Sequence, residues 1–212
     1  MTLIAPTLQS FFIDRLVRQL DASPRTIECY RDTLRLLLCF AQQSTGTPPS
    51  KLEWDELNET LIDAFLEHLE LARHNSPRTR NLRLTAIRSL FRYAAVRHPE
   101  HAAVIQRVLL IPPKRTRRPT ISYLSAEEAK ALIDAPDQPC WVGRRDRALL
   151  TLGIHAGLRV SELVGLDCGD VVVGTGGHVC CEGKGRRQRA VPLTRVAQAI
   201  LATWLTERDG QP

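Results

Sequence analysis

The chain has 212 residues, of which 43% are apolar and 25% charged, and a formal net charge of +6. This is the composition of a globular protein with enough Leu, Ile and Val for real cores, and it argues against disorder; the length suits one large domain or two ordinary ones, and two is the starting expectation. No run of about 18 uncharged apolar residues exists to span a bilayer, and the N-terminus lacks the basic, apolar and small-residue succession of a secretory leader, so a cytoplasmic location without membrane contact is expected.

A first helical pattern is expected over about 7–20, "TLQSFFIDRLVRQL". The next segment, "SPRTIECYRDTLRLLLCFA" (23–41), shares its opening with "SPRTRNLRLTAIRSLFRYA" (76–94). In each, Ser is suited to the N-cap, Pro to the first helical position, and apolar residues recur at helical spacing. In the first copy Ile27, Tyr30, Leu34, Leu37, Leu38 and Ala41 share one arc, with Arg31 and Arg35 toward the other side. Between the two copies a helix is expected over about 59–73. In the second copy Leu84, Ile87, Leu90, Phe91 and Ala94 form the stripe; opposite it stand Arg78, Asn81, Thr85, Arg88, Ser89 and Arg92, and Arg80 adds a further cation. Long cations among short hydrogen-bonding residues suit a helix lying against a phosphate backbone. A merely solvated face usually interleaves acids for i,i+4 pairing, and this helix has none.

Charge along the chain has the same asymmetry. From Arg73 to Arg118 twelve Lys or Arg face the single acid Glu100, whereas from Lys51 to Glu70 seven acids face one lysine. The basic block points to a polyanion-facing surface. Its end, "IPPKRTRRPT" (111–120), combines Pro with a basic run and reads as an exposed, extended linker; on DNA, Lys114, Arg115, Arg117 and Arg118 would add phosphate contacts.

The second region opens on "LSAEEAKALIDA" (124–135), where Ser125 and Glu128 have capping-box spacing. A helix over 143–157 is expected to stop at Gly157, followed by a brief helix over about 159–166. Two strands, "HVCCEG" and "RQRAVPL", are joined through "GKG", and Thr194 caps a last helix. His178, Cys180 and Cys181 lack zinc-ligand spacing, so no metal site is expected, and the six cysteines read as reduced thiols.

Arg159 stands at the start of its short helix, where the macrodipole disfavours a cation and unsatisfied N–H groups favour an anion. Glu162, one turn on, can hold the guanidinium and leave its other donors for a phosphate. A partly buried Arg–Glu pair joining two elements is the structural alternative. Lys184 lies between Gly183 and Gly185 at the hairpin tip, followed by Arg186, Arg187 and Arg189, which are expected to contact DNA; the lysine projects into a groove or is part of an exposed basic turn.

Taken in order, "SPRTIECYRDTLRLLLCFA", "SPRTRNLRLTAIRSLFRYA", "HAGLRVSELVGLDCGDV" and "EGKGRRQRAVPL" resemble the tyrosine site-specific recombinases, including phage integrases and Xer-type enzymes. The resemblance implies a mainly α chain: a helical core-binding domain over 1–110, a basic linker over 111–121, and over 122–212 the first part of an α+β catalytic domain with a small hairpin sheet. It implies double-stranded DNA as partner, no cofactor, and a metal-free transesterification in which a tyrosine attacks a DNA phosphate. Arg159 matches the first catalytic arginine, Glu162 its acidic companion and Lys184 the hairpin lysine. Arginines would stabilise the pentavalent phosphate, and the lysine would protonate the departing oxygen.

The family pattern continues with His-x-x-Arg, a further His or Trp, and the tyrosine. Here Tyr30, Tyr93 and Tyr123 all precede Arg159, and no histidine follows His178. The expectation is therefore a truncated recombinase that binds DNA and cannot cleave it unaided. The alternative is a noncatalytic DNA-binding regulator or assembly partner, pairing with a full-length recombinase or with itself on DNA.

Overall fold

The computed structural model describes residues 2–116, 122–183 and 187–209. The chain divides into two compact units, Met1–Pro119 and Thr120–Pro212. It is mainly helical, with one small antiparallel sheet. No helix among the described residues is long and apolar enough to cross a membrane.

The first unit is all helical: α1 (Ile4–Ser10), α2 (Pro24–Thr45), α3 (Glu59–Leu71), α4 (Pro77–Ala95) and α5 (Ala102–Leu110). The repeated Ser-Pro-Arg-Thr is a repeated cap. Ser23 Oγ accepts from Thr26 N at 3.3 Å and Ser76 Oγ from Thr79 N at 3.2 Å, with Pro24 and Pro77 at the first helical positions. A side-chain cap of this kind contributes about 1 kcal/mol per helix. The whole second apolar stripe, Leu84, Ile87, Leu90, Phe91 and Ala94, is buried. Trp54, on the loop before α3, meets Phe91 edge to face at 5.4 Å.

Two elements depart from the sequence reading. After Ser10 the first helix widens into π-type turns over Phe11–Gln19, and the five-residue bonding carries Phe11 and Leu16, five apart, into the core together. α5 has no counterpart among the expected elements; its run "AAVIQRVLL" is short and apolar, which periodicity alone does not assign, and it buries Ile105 and Val108.

The second unit contains α6 (Ala126–Asp134), α7 (Trp141–His155), α8 (Val160–Leu163), β1 (Val171–Val172), β2 (His178–Gly183), β3 (Arg187–Pro192) and α9 (Arg195–Asp209). Ser125 and Glu128 form the reciprocal capping box. α7 ends where Gly157 takes φ +60, a conformation L side chains seldom adopt. The sheet runs β1-β2-β3, with Cys180 opposite Ala190 and Gly183 opposite Arg187. Cys180 and Cys181, adjacent on β2, point to opposite faces, one exposed and one buried. Leu152 of α7, Val179 of β2 and Leu201 of α9 centre a small core.

Candidate functional site

In the first unit α4 carries both exposed cations and cations bonded to the chain itself. Arg78 and Arg92 are exposed, as are Arg31 and Arg35 on α2 and Arg115 beyond α5. Burial presses the pKa of Arg88 below the usual arginine value, with the neighbouring charges of Arg92 and Arg80 adding to the effect. Mutual repulsion of this kind is relieved by a bound anion.

Three residues read from sequence as DNA contacts make hydrogen bonds to the chain itself. Arg80 is buried, and its Nη1 donates to Pro112 O at 3.1 Å. Asn81 grips Lys114 twice: Nδ2 donates to the carbonyl at 2.7 Å, and Oδ1 accepts from the amide at 2.9 Å. Arg88 Nη2 donates to Ile111 O. The start of the expected extended linker is thus strapped onto α4, and Lys114 is further held by Glu70, Nζ to Oε2 at 2.6 Å. The structure places Arg80 as a buried strut between α4 and Pro112. The sign was in the sequence: it stands four and seven residues before Leu84 and Ile87, on the apolar stripe rather than opposite it. Arg117 and Arg118 lie outside the described residues.

In the second unit α8 and the hairpin root build a compact charge cluster. Glu162 has only 2% of its side chain exposed, and four donors converge on its carboxylate. Oε2 accepts from Arg159 N at 2.8 Å and Arg189 Nη2 at 2.9 Å; Oε1 accepts from Arg159 Nη1 at 2.7 Å and Arg189 Nη1 at 3.0 Å. The Arg159 backbone N–H, the Arg159 guanidinium and then Arg189 hold the Glu162 carboxyl below the ordinary carboxylate range. Arg159 occupies the N-cap position of α8, and its side chain is 64% exposed. Among the described residues its other guanidinium nitrogens have no hydrogen-bond partner. A Cβ added to Gly183 would lie 3.3 Å from Glu162 Oε1, tight enough that the carboxylate would have to give by a few tenths of an ångström.

The site thus joins Arg159 and Glu162 as their spacing implied, and brings in Arg189, read from sequence as a DNA contact, as a second cation on the same carboxylate. Arg187, two residues earlier on β3, is exposed. Lys184 and Arg186 lie outside the described residues. Chemically the cluster offers an oriented guanidinium with open donors, an arrangement that accepts a tetrahedral or pentavalent phosphate oxygen.

Comparison with known proteins agrees with the division into two units. Residues 10–98 match the phage integrase N-terminal SAM-like domain, and residues 122–212 match the phage integrase family. The chain is 50% identical over 204 residues to "Putative integrase/recombinase y4rC" of Sinorhizobium fredii (strain NBRC 101917 / NGR234), covering 96% of this chain and 61% of that protein. The similarly named y4rD of the same strain is 42% identical over 205 residues, covering 94% of this chain and 73% of that protein. A crystal structure of the XerH site-specific recombinase bound to palindromic difH substrate, a post-cleavage complex, has the same fold, with TM-score 0.65 and 22% identity over 91% of this chain and 55% of that one. The chain therefore spans about three fifths of the length of the first of these relatives.

Proposed function

Because this chain belongs to the phage integrase family of tyrosine recombinases, we propose that its 212 residues bind duplex DNA and take part in site-specific recombination or integration without cleaving DNA on their own. The observation that carries this reading is the Arg159 guanidinium, anchored through one nitrogen by Glu162 and left open on the rest. A solvated surface arginine has no need of such an anchor; a phosphate-binding one gains preorganisation from it. In the first unit Arg78, Arg92, Arg31, Arg35 and Arg115 provide exposed cations for the phosphate backbone. In the second unit Arg159 holds a phosphate with Glu162 as its support; Lys184, matched by the resemblance to the family's proton donor, lies outside the described residues. The 212 residues hold no tyrosine after Arg159, so the nucleophile of the family reaction is not among them.

Titration of a labelled duplex across salt tests the binding. The expected result is an association constant that falls linearly on a log–log plot with a slope of several units; a flat dependence removes phosphate contact as its basis. Incubation with a nicked duplex tests the chemistry. No covalent protein–DNA adduct is expected from the chain alone, and an adduct would overturn that half of the reading. A role as assembly partner predicts that a longer relative, added to the same duplex, is recruited by the bound chain.

A further inference from the structure

We propose that Arg189 is a positioning residue: by neutralising Glu162 it leaves the charge and open donors of Arg159 available to a phosphate, an inference that rests on the reading of Arg159 above.

Counting charges shows why a second cation matters. A carboxylate paired with Arg159 alone would cancel it, and a neutral pair attracts a phosphate weakly. Among the described residues Glu162 faces two guanidiniums, so these three side chains keep one unit of positive charge. Arg189 takes the cancelling role. It binds both carboxylate oxygens with two parallel bonds, at 3.0 and 2.9 Å, whereas Arg159 gives the carboxylate a single guanidinium nitrogen. The more exposed partner is the one left with free donors: the Arg159 side chain is 64% exposed and that of Arg189 39%.

The four bonds also fill the lone-pair positions of the carboxylate. With no acceptor site left over, Glu162 has one orientation, and the Arg159 fork inherits it. Gly183 closes the arrangement from the strand side, its missing Cβ easing the approach of Glu162 Oε1. β2, which ends at Gly183, is thereby registered against the support of Arg159. Arginine rather than lysine is required at position 189 because only a planar fork spans both oxygens.

A double-mutant cycle in the full chain tests this by anisotropy on one fluorescein-labelled duplex across salt, with folding checked by circular dichroism. Arg159→Gln and Arg189→Gln should each lower the salt slope by about one unit, the loss of one phosphate contact. The double variant should lose no more than either alone. Arg187→Gln serves as comparator, its effect adding to that of Arg159→Gln. Arg189→Lys, which keeps the charge and loses the fork, should retain the slope while weakening affinity about twofold to fivefold. A merely structural Arg189 would lower melting temperature in both variants and leave the slope alone. Additive slopes for Arg159→Gln and Arg189→Gln, or an unchanged slope in Arg189→Gln, overturn the positioning role while leaving Arg159 as a phosphate group. An Arg159→Gln variant that binds like the parent overturns the underlying reading as well. If Arg189→Gln does not fold, the cycle is run with Arg189→Lys, where a fallen slope or unchanged affinity overturns the proposal.

Discussion

Replacing Asn81 by Ala separates two roles for the polar side of α4. The side chain makes two bonds to the backbone of Lys114, at 2.7 and 2.9 Å, and both are exposed. A net hydrogen bond contributes about 0.5–1.5 kcal/mol, and because water replaces these two when they break, the lower end applies to each, about 1 kcal/mol in all. That energy falls on local opening of the strap rather than on global unfolding, so the opening equilibrium should rise by about fivefold. Amide hydrogen exchange followed by NMR reads it directly at the Lys114 N–H, which has Asn81 as its acceptor. Expected is a roughly fivefold loss of protection at Lys114, with the amide of Leu90, deep in α4, unchanged. Unaltered exchange at Lys114 would show that the strap is held without Asn81, and the separation of roles drawn here would fail.

Other perturbations have definite outcomes. The Glu162 pKa is depressed in the folded chain, so its stabilising contribution is complete above the ordinary carboxylate range and is lost as pH falls through the depressed folded value. The difference in melting temperature between the parent and Glu162→Gln should accordingly shrink on acidification, and a difference constant down to strongly acid pH would contradict the geometry. Gly183→Ala places a methyl 3.3 Å from Glu162 Oε1, an oxygen already held by two donors, and should destabilise the second unit by about 1 kcal/mol in urea unfolding, against the gain usually expected of alanine over glycine. Equal or greater stability would mean that Glu162 yields. Phe91→Ala opens a cavity beneath Trp54 in a fully buried position and should cost about 3–5 kcal/mol by urea denaturation of the first unit; a cost below about 1 kcal/mol would mean that the core collapses around the gap.

What the sequence disclosed followed the range of the interactions. Ser23 and Ser76 were readable as caps because the acceptor and donor are three residues apart, and the same holds for Ser125 with Glu128 and Arg159 with Glu162. Arg189 meets Glu162 across 27 residues and two elements, and no local pattern announces the contact. The strap was hidden for the same reason, since Asn81 and Lys114 are 33 apart in sequence. Arg80 was the exception: its place on the apolar stripe was visible, and its chemistry drew attention away from it. Phe11–Gln19 reads as helix in the sequence, and only its wider, π-type bonding escapes a reading based on the regular period.

The dual use of α4 limits how its surface could be redesigned. Arg80 and Arg88 bind main-chain carbonyls of Pro112 and Ile111, so exchanging every cation on this helix to retarget the protein would also loosen the segment leading out of the domain. Library diversity is better confined to Arg78, Thr85 and Arg92, whose side chains face outward. Grafting the helix into another scaffold would need its carbonyl-bearing strap to travel with it.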